Sequence, residues 1–292
     1  MISNISESEL IEQLEKKGNY KISKRLEPQE SYNEDDGSEK KIAIFLDVET
    51  TGKEIAEDEI IELGMVAFEY NPDSGKIFKI LNNFNELEEP NVPISPEASE
   101  VNRITMEMVR GHKIEDDKVE DFISKAVLII SHNALFDRQF VEKRFSCFVQ
   151  KNWACSINDV SWKENGFNNR SLEFLAYKFD YFFDAHRAYM DCLASIHLLS
   201  KRLPKFDSPV LQDLIVNARQ STNRISTKGI HISHKDKLKA RYYKWNPKDV
   251  LWYFDAKESE TEGELQWLKD EFDYDGSVIA TFNATTRYSN RV

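Results

Sequence analysis

Asp47 and Glu49 close an apolar run in "FLDVETTG", residues 45–52. In an extended strand, residues i and i+2 project to the same face, so these two carboxylates would stand side by side. Like charges so placed repel unless something positive neutralises them. The pair is therefore either a solvated strand end or a metal site. Two further stretches bear on the choice. In "SHNALFDRQF", residues 131–140, Asp137 falls in the first turn of an expected helix just after a buried-strand pattern. In "DAHRAYMDCLAS", residues 184–195, His186 precedes an expected helix bearing Asp191. Singly, each has an ordinary reading: the helix dipole favours an acid in a first turn, and a histidine before a helix is commonly a surface or capping residue. Together they put four carboxylates at three element boundaries, from which they could converge on one point.

The elements that would carry them can be read from period and punctuation. "KIAIFLDV" reads as a buried strand, and "DEIIELGMVAFEY" and "KIFKILNNFNEL" as the next two, with the turn chemistry of "NPDSG" between them. Three sequential antiparallel strands are expected. "VPISPEASEVNRITMEMV" is a proline-broken loop leading to a short helix with Thr105 as candidate N-cap, and "DDKVEDFISKA" is helical. "VLIISHN" has the continuous apolar character of a buried strand. Helices are expected over Ala134–Phe145, Ser171–Lys178 and Ala188–Arg202. The fold class is α/β, a mixed sheet flanked by helices. Residues 1–40 read as an N-terminal helix followed by an acidic linker, 41–203 as the main domain, and 204–292 as a small C-terminal α/β domain. In the last, "SPVLQDLIVNAR" and "ESETEGELQWLKDEF" are helical, and "LWYFDA" and "GSVIATFNA" are strands.

Composition narrows the function classes. With 40% hydrophobic and 12% aromatic residues, the 292-residue chain can build a core. No apolar run approaches the ~20 residues of a membrane span, and "MISNISESELIEQLEKK" lacks a basic start and apolar stretch, so a soluble, cytoplasmic protein without a membrane partner is expected. Cys147, Cys155 and Cys192 form no CxxC pair, which argues against zinc and for reduced, buried thiols. A net charge of −12 argues against a broad electrostatic grip on nucleic acid, although bound cations or a local basic patch can supply positive charge.

"DVETTG", "SHNALFD" and "HRAYMD", in this order, resemble the signature of the DEDDh 3′–5′ exonucleases, a DnaQ-like family that includes the proofreading subunit of the bacterial replicative polymerase and several RNA-trimming enzymes. The likeness covers about residues 41–203. It implies an RNase H-like sheet. It also implies that Asp47, Glu49, Asp137 and Asp191 hold two divalent cations, Mg²⁺ or Mn²⁺, with Asp47 shared and His186 taking a proton from the attacking water. Hard oxygen donors suit those ions, and an imidazole titrating near neutrality suits that base. The implied reaction releases nucleoside 5′-monophosphates from single-stranded or frayed 3′ ends, DNA ahead of RNA, in proofreading or DNA repair with a polymerase or repair partner. The alternatives are an RNA-trimming exoribonuclease and a non-catalytic nucleic-acid-binding module of the same fold.

Around the signature, Thr50, Thr51 and Gly52 read either as a plain turn or as backbone lying near the terminal nucleotide. Asn133 reads as a loop-ordering residue or a substrate contact, and Phe136 as core or a base contact. Ile104 and Thr105 match a family stretch in which Arg103 replaces glycine, so a different loop is expected there. "HISHKDKLKARYYKWNPK" mixes base and aromatic: Lys239, Arg241, Tyr242 and Trp245 are candidate accessory nucleic-acid contacts, or else one face of an amphipathic helix docked through its aromatics.

Overall fold

The computed structural model describes residues 5–291, so residues 1–4 of the expected N-terminal segment and Val292 of the expected C-terminal domain lie outside the described residues. Helix α1 (Glu7–Lys16) begins with a capping box, in which Ser6 and Glu9 satisfy each other's backbone N–H. Short strand β1 (Lys24–Arg25) follows. The three expected antiparallel strands are β2 (Lys41–Thr50), β3 (Ile60–Tyr70) and β4 (Ile77–Leu87). The β3–β4 turn is held by Asn71, whose Oδ1 accepts the N–H groups of Asp73 and Ser74 at 3.0 and 2.7 Å, with Gly75 at φ +66°. Helices α2 (Pro96–Asn102), α3 (Met106–Val109) and α4 (Asp116–Ile123) lead to β5 (Leu128–Ser131), α5 (Ala134–Arg144) and β6 (Trp153–Cys155). Then come α6 (Leu172–Lys178), β7 (Tyr181–Phe182), α7 (Ala188–Ser200) and α8 (Val210–Arg219).

The main sheet has the order β4-β3-β2-β5-β6, with β5 parallel to both β2 and β6. This is the expected mixed sheet; β6 went unread because it is only three residues long. Alternation along β2 supplies both layers. Ala43 and Phe45 enter one core with α6, α7 and α8, while Ile44, Leu46 and Val48 enter the other with α4 and α5. Asp47 and Glu49 extend the Phe45 face, and so turn toward α7.

Three boundaries differ from expectation. The acidic linker is partly structural: β1 pairs in parallel with β7, Leu26 is buried, and Tyr32 packs on the α7 core. Helix α8 buries Val210, Leu211 and Leu214 in that same core, so no change of core occurs at residue 204. The amphipathic helix expected across 235–245 is also cut short. Helix α9 (Lys235–Ala240) ends, Tyr242 turns the chain at φ +67°, and β9 (Lys244–Asn246) begins. The physical reason is that Tyr243 packs into the core of the C-terminal unit and donates its hydroxyl to the buried Glu264 at 2.9 Å. That unit comprises β8 (Thr222–Ser226), α9, β9, β10 (Leu251–Lys257), α10 (Glu258–Phe272) and β11 (Ser277–Phe282), in an antiparallel sheet ordered β11-β8-β10-β9. Beyond β11 the chain returns to the main domain: the buried guanidinium of Arg138 donates to the carbonyls of Thr285 and Arg287, at 2.5 and 2.6 Å.

One close approach fixes where Asp191 lies. Gly64 stands opposite Asp47 in the β2–β3 register. A Cβ there would meet the backbone carbon of Ala188 at 2.5 Å, so only glycine lets the first turn of α7 rest directly on β3. Gly64→Ala is expected to lower stability by about 1–3 kcal/mol, the usual cost of overpacking, measured by urea unfolding.

Candidate active site

Three carboxylates meet at the end of β2. One ligand oxygen each from Asp47, Glu49 and Asp191 lies within 4.8 Å of the others, and all three side chains are half-buried. Asp47 and Glu49 arrive there by strand alternation, and Asp191 by the docking of α7 on Gly64. Asp137 comes from the opposite layer in the first turn of α5. It is 3% exposed and reaches round the edge of β2, its Oδ1 accepting the N–H of Val48 at 3.3 Å. The structure thus brings the four acids to one strand end, three in ligand range of one another and the fourth against the backbone between Asp47 and Glu49.

Burial is the main cause of their electrostatics. It pushes the Asp47 carboxyl well above the carboxylate range, reinforced by Asp137, Asp191 and Glu49. Glu49 is raised to about 8 by burial, then by Asp191. Asp137 and Asp191 are each raised to about 7 by burial, opposed by backbone N–H donors. For Asp191 those donors are the N–H groups of His186 and Arg187, at 2.9 and 3.0 Å from Oδ2. Without a counter-charge, this cluster cannot ionise fully at neutral pH. The donor set is all oxygen and in ligand range, so it fits a hard divalent cation.

His186 is exposed in the loop before α7, at φ +68°. That conformation turns its N–H onto Asp191, so the imidazole and the carboxylate are held by one backbone feature. The sequence reading missed what braces the loop. Glu62, fully buried on β3 opposite Glu49, accepts from Arg187 Nη2 at 2.8 Å and from the Ala188 N–H at 3.2 Å. It was hidden because "DEIIELG" reads simply as strand; its signal was a charged residue in the middle of an apolar run. Asn102, also buried and also missed, lies against Glu49 and accepts the Ile104 N–H at 2.9 Å.

The remaining candidates are placed as follows. Thr50 donates to the Gly52 carbonyl at 2.5 Å, and Thr51 is buried and donates to Asp58 at 2.8 Å. A Cβ on Gly52 would meet the Asp58 carboxylate at 2.5 Å, so a larger residue there would displace the side chain that Thr51 holds. Arg103 was expected to change its loop. Instead it takes the left-handed conformation itself, at φ +59°, as the αL cap of α2, at a cost of about 1–2 kcal/mol. The side chain of Ile104 is fully buried beside Ile61 and Val109. Asn133 is exposed at the start of α5, and Phe136 is half-buried against Phe140 at 4.7 Å. Lys239, Arg241, Tyr242 and Trp245 belong to the C-terminal unit rather than to the carboxylate cluster. Arg241 is held by Glu264 at 2.9 Å and covers Trp267; Lys239 lies over Trp252, with Trp245 packed against that ring; Tyr242 is 66% exposed and accepts from Lys163 at 2.6 Å.

A model of the exonuclease family RNase_T matches residues 44–199. The chain is similar to a PolC-type DNA polymerase III of Caldanaerobacter subterraneus subsp. tengcongensis, 26% identical over 188 residues, which is 62% of this chain and 13% of that protein. It is also similar to the DNA polymerase III subunit epsilon of Treponema pallidum, 34% identical over 102 residues, or 34% of this chain and 44% of that protein. The chain thus spans less than half the length of these curated relatives. Among solved structures it is similar to exonuclease X in complex with 5′ overhanging duplex DNA, at 24% identity and TM-score 0.42, covering 60% of this chain and 91% of that one.

The raised carboxyls set a pH prediction. Their folded values near 7–8 exceed the unfolded values near 4, so between those limits the folded state holds more protons. Stability in EDTA should therefore fall as pH rises from about 5 to 8. Mn²⁺ or Mg²⁺ should raise the melting temperature most at pH 8, read by thermal denaturation; a metal effect independent of pH would contradict the cluster.

Proposed function

The chain belongs to this exonuclease family, and from that premise we propose that it is a two-metal-dependent 3′–5′ exonuclease releasing nucleoside 5′-monophosphates from single-stranded or frayed 3′ ends, with DNA preferred over RNA. The observation that carries the reading is the convergence of Asp47, Glu49 and Asp191 in ligand range, with Asp137 beside them. These four would hold Mg²⁺ or Mn²⁺, and the ions when bound would supply Lewis acidity and an activated water.

The chain's own residues divide the rest of the work. His186 takes the proton of the water whose oxygen attacks phosphorus. The bond from phosphorus to the 3′-oxygen of the penultimate nucleotide breaks, and that oxygen takes a proton from solvent to give a free 3′-hydroxyl. The exposed imidazole can reach a substrate from solvent, while its backbone stays tied to Asp191. Glu62 and Arg187 hold that loop in place. The Thr50–Gly52 turn lies at the end of β2, where the terminal nucleotide would rest, with Asn133 and Phe136 on the α5 side and Ile104 contributing backbone only. The preference for DNA, and a polymerase or repair assembly as partner, are supported by the DNA polymerase III proteins among the relatives. A cytoplasmic site of action belongs to the same reading; no described helix is long and apolar enough to cross a membrane.

The test is digestion of 3′- and 5′-labelled DNA and RNA oligonucleotides with Mg²⁺, Mn²⁺ or EDTA. Mononucleotides should leave the 3′ end first, and only with metal. Asp137→Asn should abolish release without unfolding the chain, and His186→Ala should lower kcat by about 10²–10⁴-fold, the usual contribution of a general base. Cleavage in EDTA, or full activity in Asp137→Asn, would sink the proposal.

A further inference from the structure

We propose that the face of the C-terminal sheet turned away from α9 and α10 is a platform for single-stranded nucleic acid, holding the strand on the 5′ side of the end bound at the carboxylates. The path rests on the exonuclease reading; the binding itself does not.

Strand alternation separates the two faces. Ile225, Trp252 and Ala256 point to the helices and form the core of the unit. Their neighbours Arg224, Tyr253 and Lys257 point the other way, across a cleft of about 350 Å³ whose opposite wall belongs to the main domain. On this face the Arg224 guanidinium lies between the rings of Tyr253 and Phe282, 4.3 and 4.7 Å from their centroids. Asp255 grips it through two hydrogen bonds of 2.7 and 2.9 Å, which fixes its plane. Planar guanidinium and aromatic surfaces are what unstacked bases lie on.

Phosphate needs charge beside that stack. Lys244 is paired with Tyr253 in the β9–β10 register, is exposed, and has no carboxylate partner among the described residues. The Lys257 ammonium binds only the neutral Asn217 oxygen, at 2.8 Å. Of the four cationic side chains that line the cleft, Arg224 and Arg287 are paired with Asp255 and Asp159, which leaves Lys244 and Lys257 in no salt bridge, in a chain whose net charge is −12. Its occupant is thus an anion with flat apolar faces rather than an apolar peptide.

The first turn of α5 stands between the cleft and the active site. Leu135 lines the cleft, is 51% exposed, and sits in the same first turn of α5 as Asp137. Leu135 and Asp137 project to opposite sides of that turn, so a strand whose 3′ end rests at Asp137 would pass round it to reach Leu135 and Tyr253.

The test uses the full-length chain and Tyr253→Ala, Tyr253→Phe and Lys244→Ala. The first probe is a fluorescent oligothymidylate of about 20 nucleotides, longer than the ~4–16 that such platforms cover, read by anisotropy in EDTA. Tyr253→Ala should weaken binding about ten-fold, the worth of one stacked base, while Tyr253→Phe retains it. Lys244→Ala should reduce the salt dependence of log Kd by about 0.7, one phosphate contact. The second readout is the ratio of kcat/KM for the long strand to that for a trinucleotide, which should fall in Tyr253→Ala. Thermal melting checks that each variant folds. If the chain binds the strand in EDTA but never cleaves it, the platform stands and the exonuclease reading falls. Equal binding and an equal substrate ratio in wild type and Tyr253→Ala, or no binding by wild type, overturns the platform.

Discussion

Mutual repulsion among Asp47, Glu49, Asp137 and Asp191 is the constraint around which the main domain is arranged. Burial raises the proton affinity of four carboxyls crowded at one strand end, and their mutual repulsion raises it further. A fold can keep such a group only if its other contacts hold the elements together without help from the acids. The two apolar layers on β2 do this: Phe45 packs toward α7, and Ile44, Leu46 and Val48 toward α5. The carboxylates are carried by elements already fixed elsewhere, and their destabilisation is the reason a divalent cation would bind.

Precision then comes from backbone rather than from side-chain pairing. Gly64 lets α7 touch β3, Gly52 lets its turn meet Asp58, and His186 enters the left-handed region so that its N–H can bind Asp191. The charge pair of buried Glu62 with half-exposed Arg187 braces the loop from the same sheet face as Glu49. An ion pair with one exposed partner is a poor source of net stability, but it does specify one geometry. Here that geometry is the position of the loop bearing His186.

How much of this could be read from the chain depends on what each residue leaves in the sequence. Strand alternation and the order of three acidic stretches are local patterns, so the central strands and the convergence of Asp47, Glu49 and Asp191 were legible. Glu62 and Asn102 were not, because their roles depend on which strand or loop faces them across the sheet. Arg103 misled in the opposite direction: an arginine where glycine was expected suggested a changed loop, yet the helix cap holds it at positive φ. In the C-terminal unit, "KDKLKARYYKW" fits a helical period, and only the burial of Tyr243 beside Glu264 explains why the helix stops and a strand begins. The end of the chain was also opaque, since the carbonyls that Arg138 binds carry no side-chain signature.

The acidic total looks at odds with a polyanionic substrate, and its resolution lies in where charge is left uncommitted. Many basic side chains of this chain are already spent on carboxylates: Arg144 on Glu88 and Asp116, Arg241 on Glu264, Arg291 on Glu142. Such pairs add nothing to the field a phosphate meets, so net charge is a poor guide to local attraction. What counts is an ammonium group in no salt bridge, as for Lys257 at Asn217, or an oxygen cluster that recruits its own cation. In a strongly acidic chain both attract a strand only over short range, because the Debye length of about 8 Å at physiological ionic strength screens the rest.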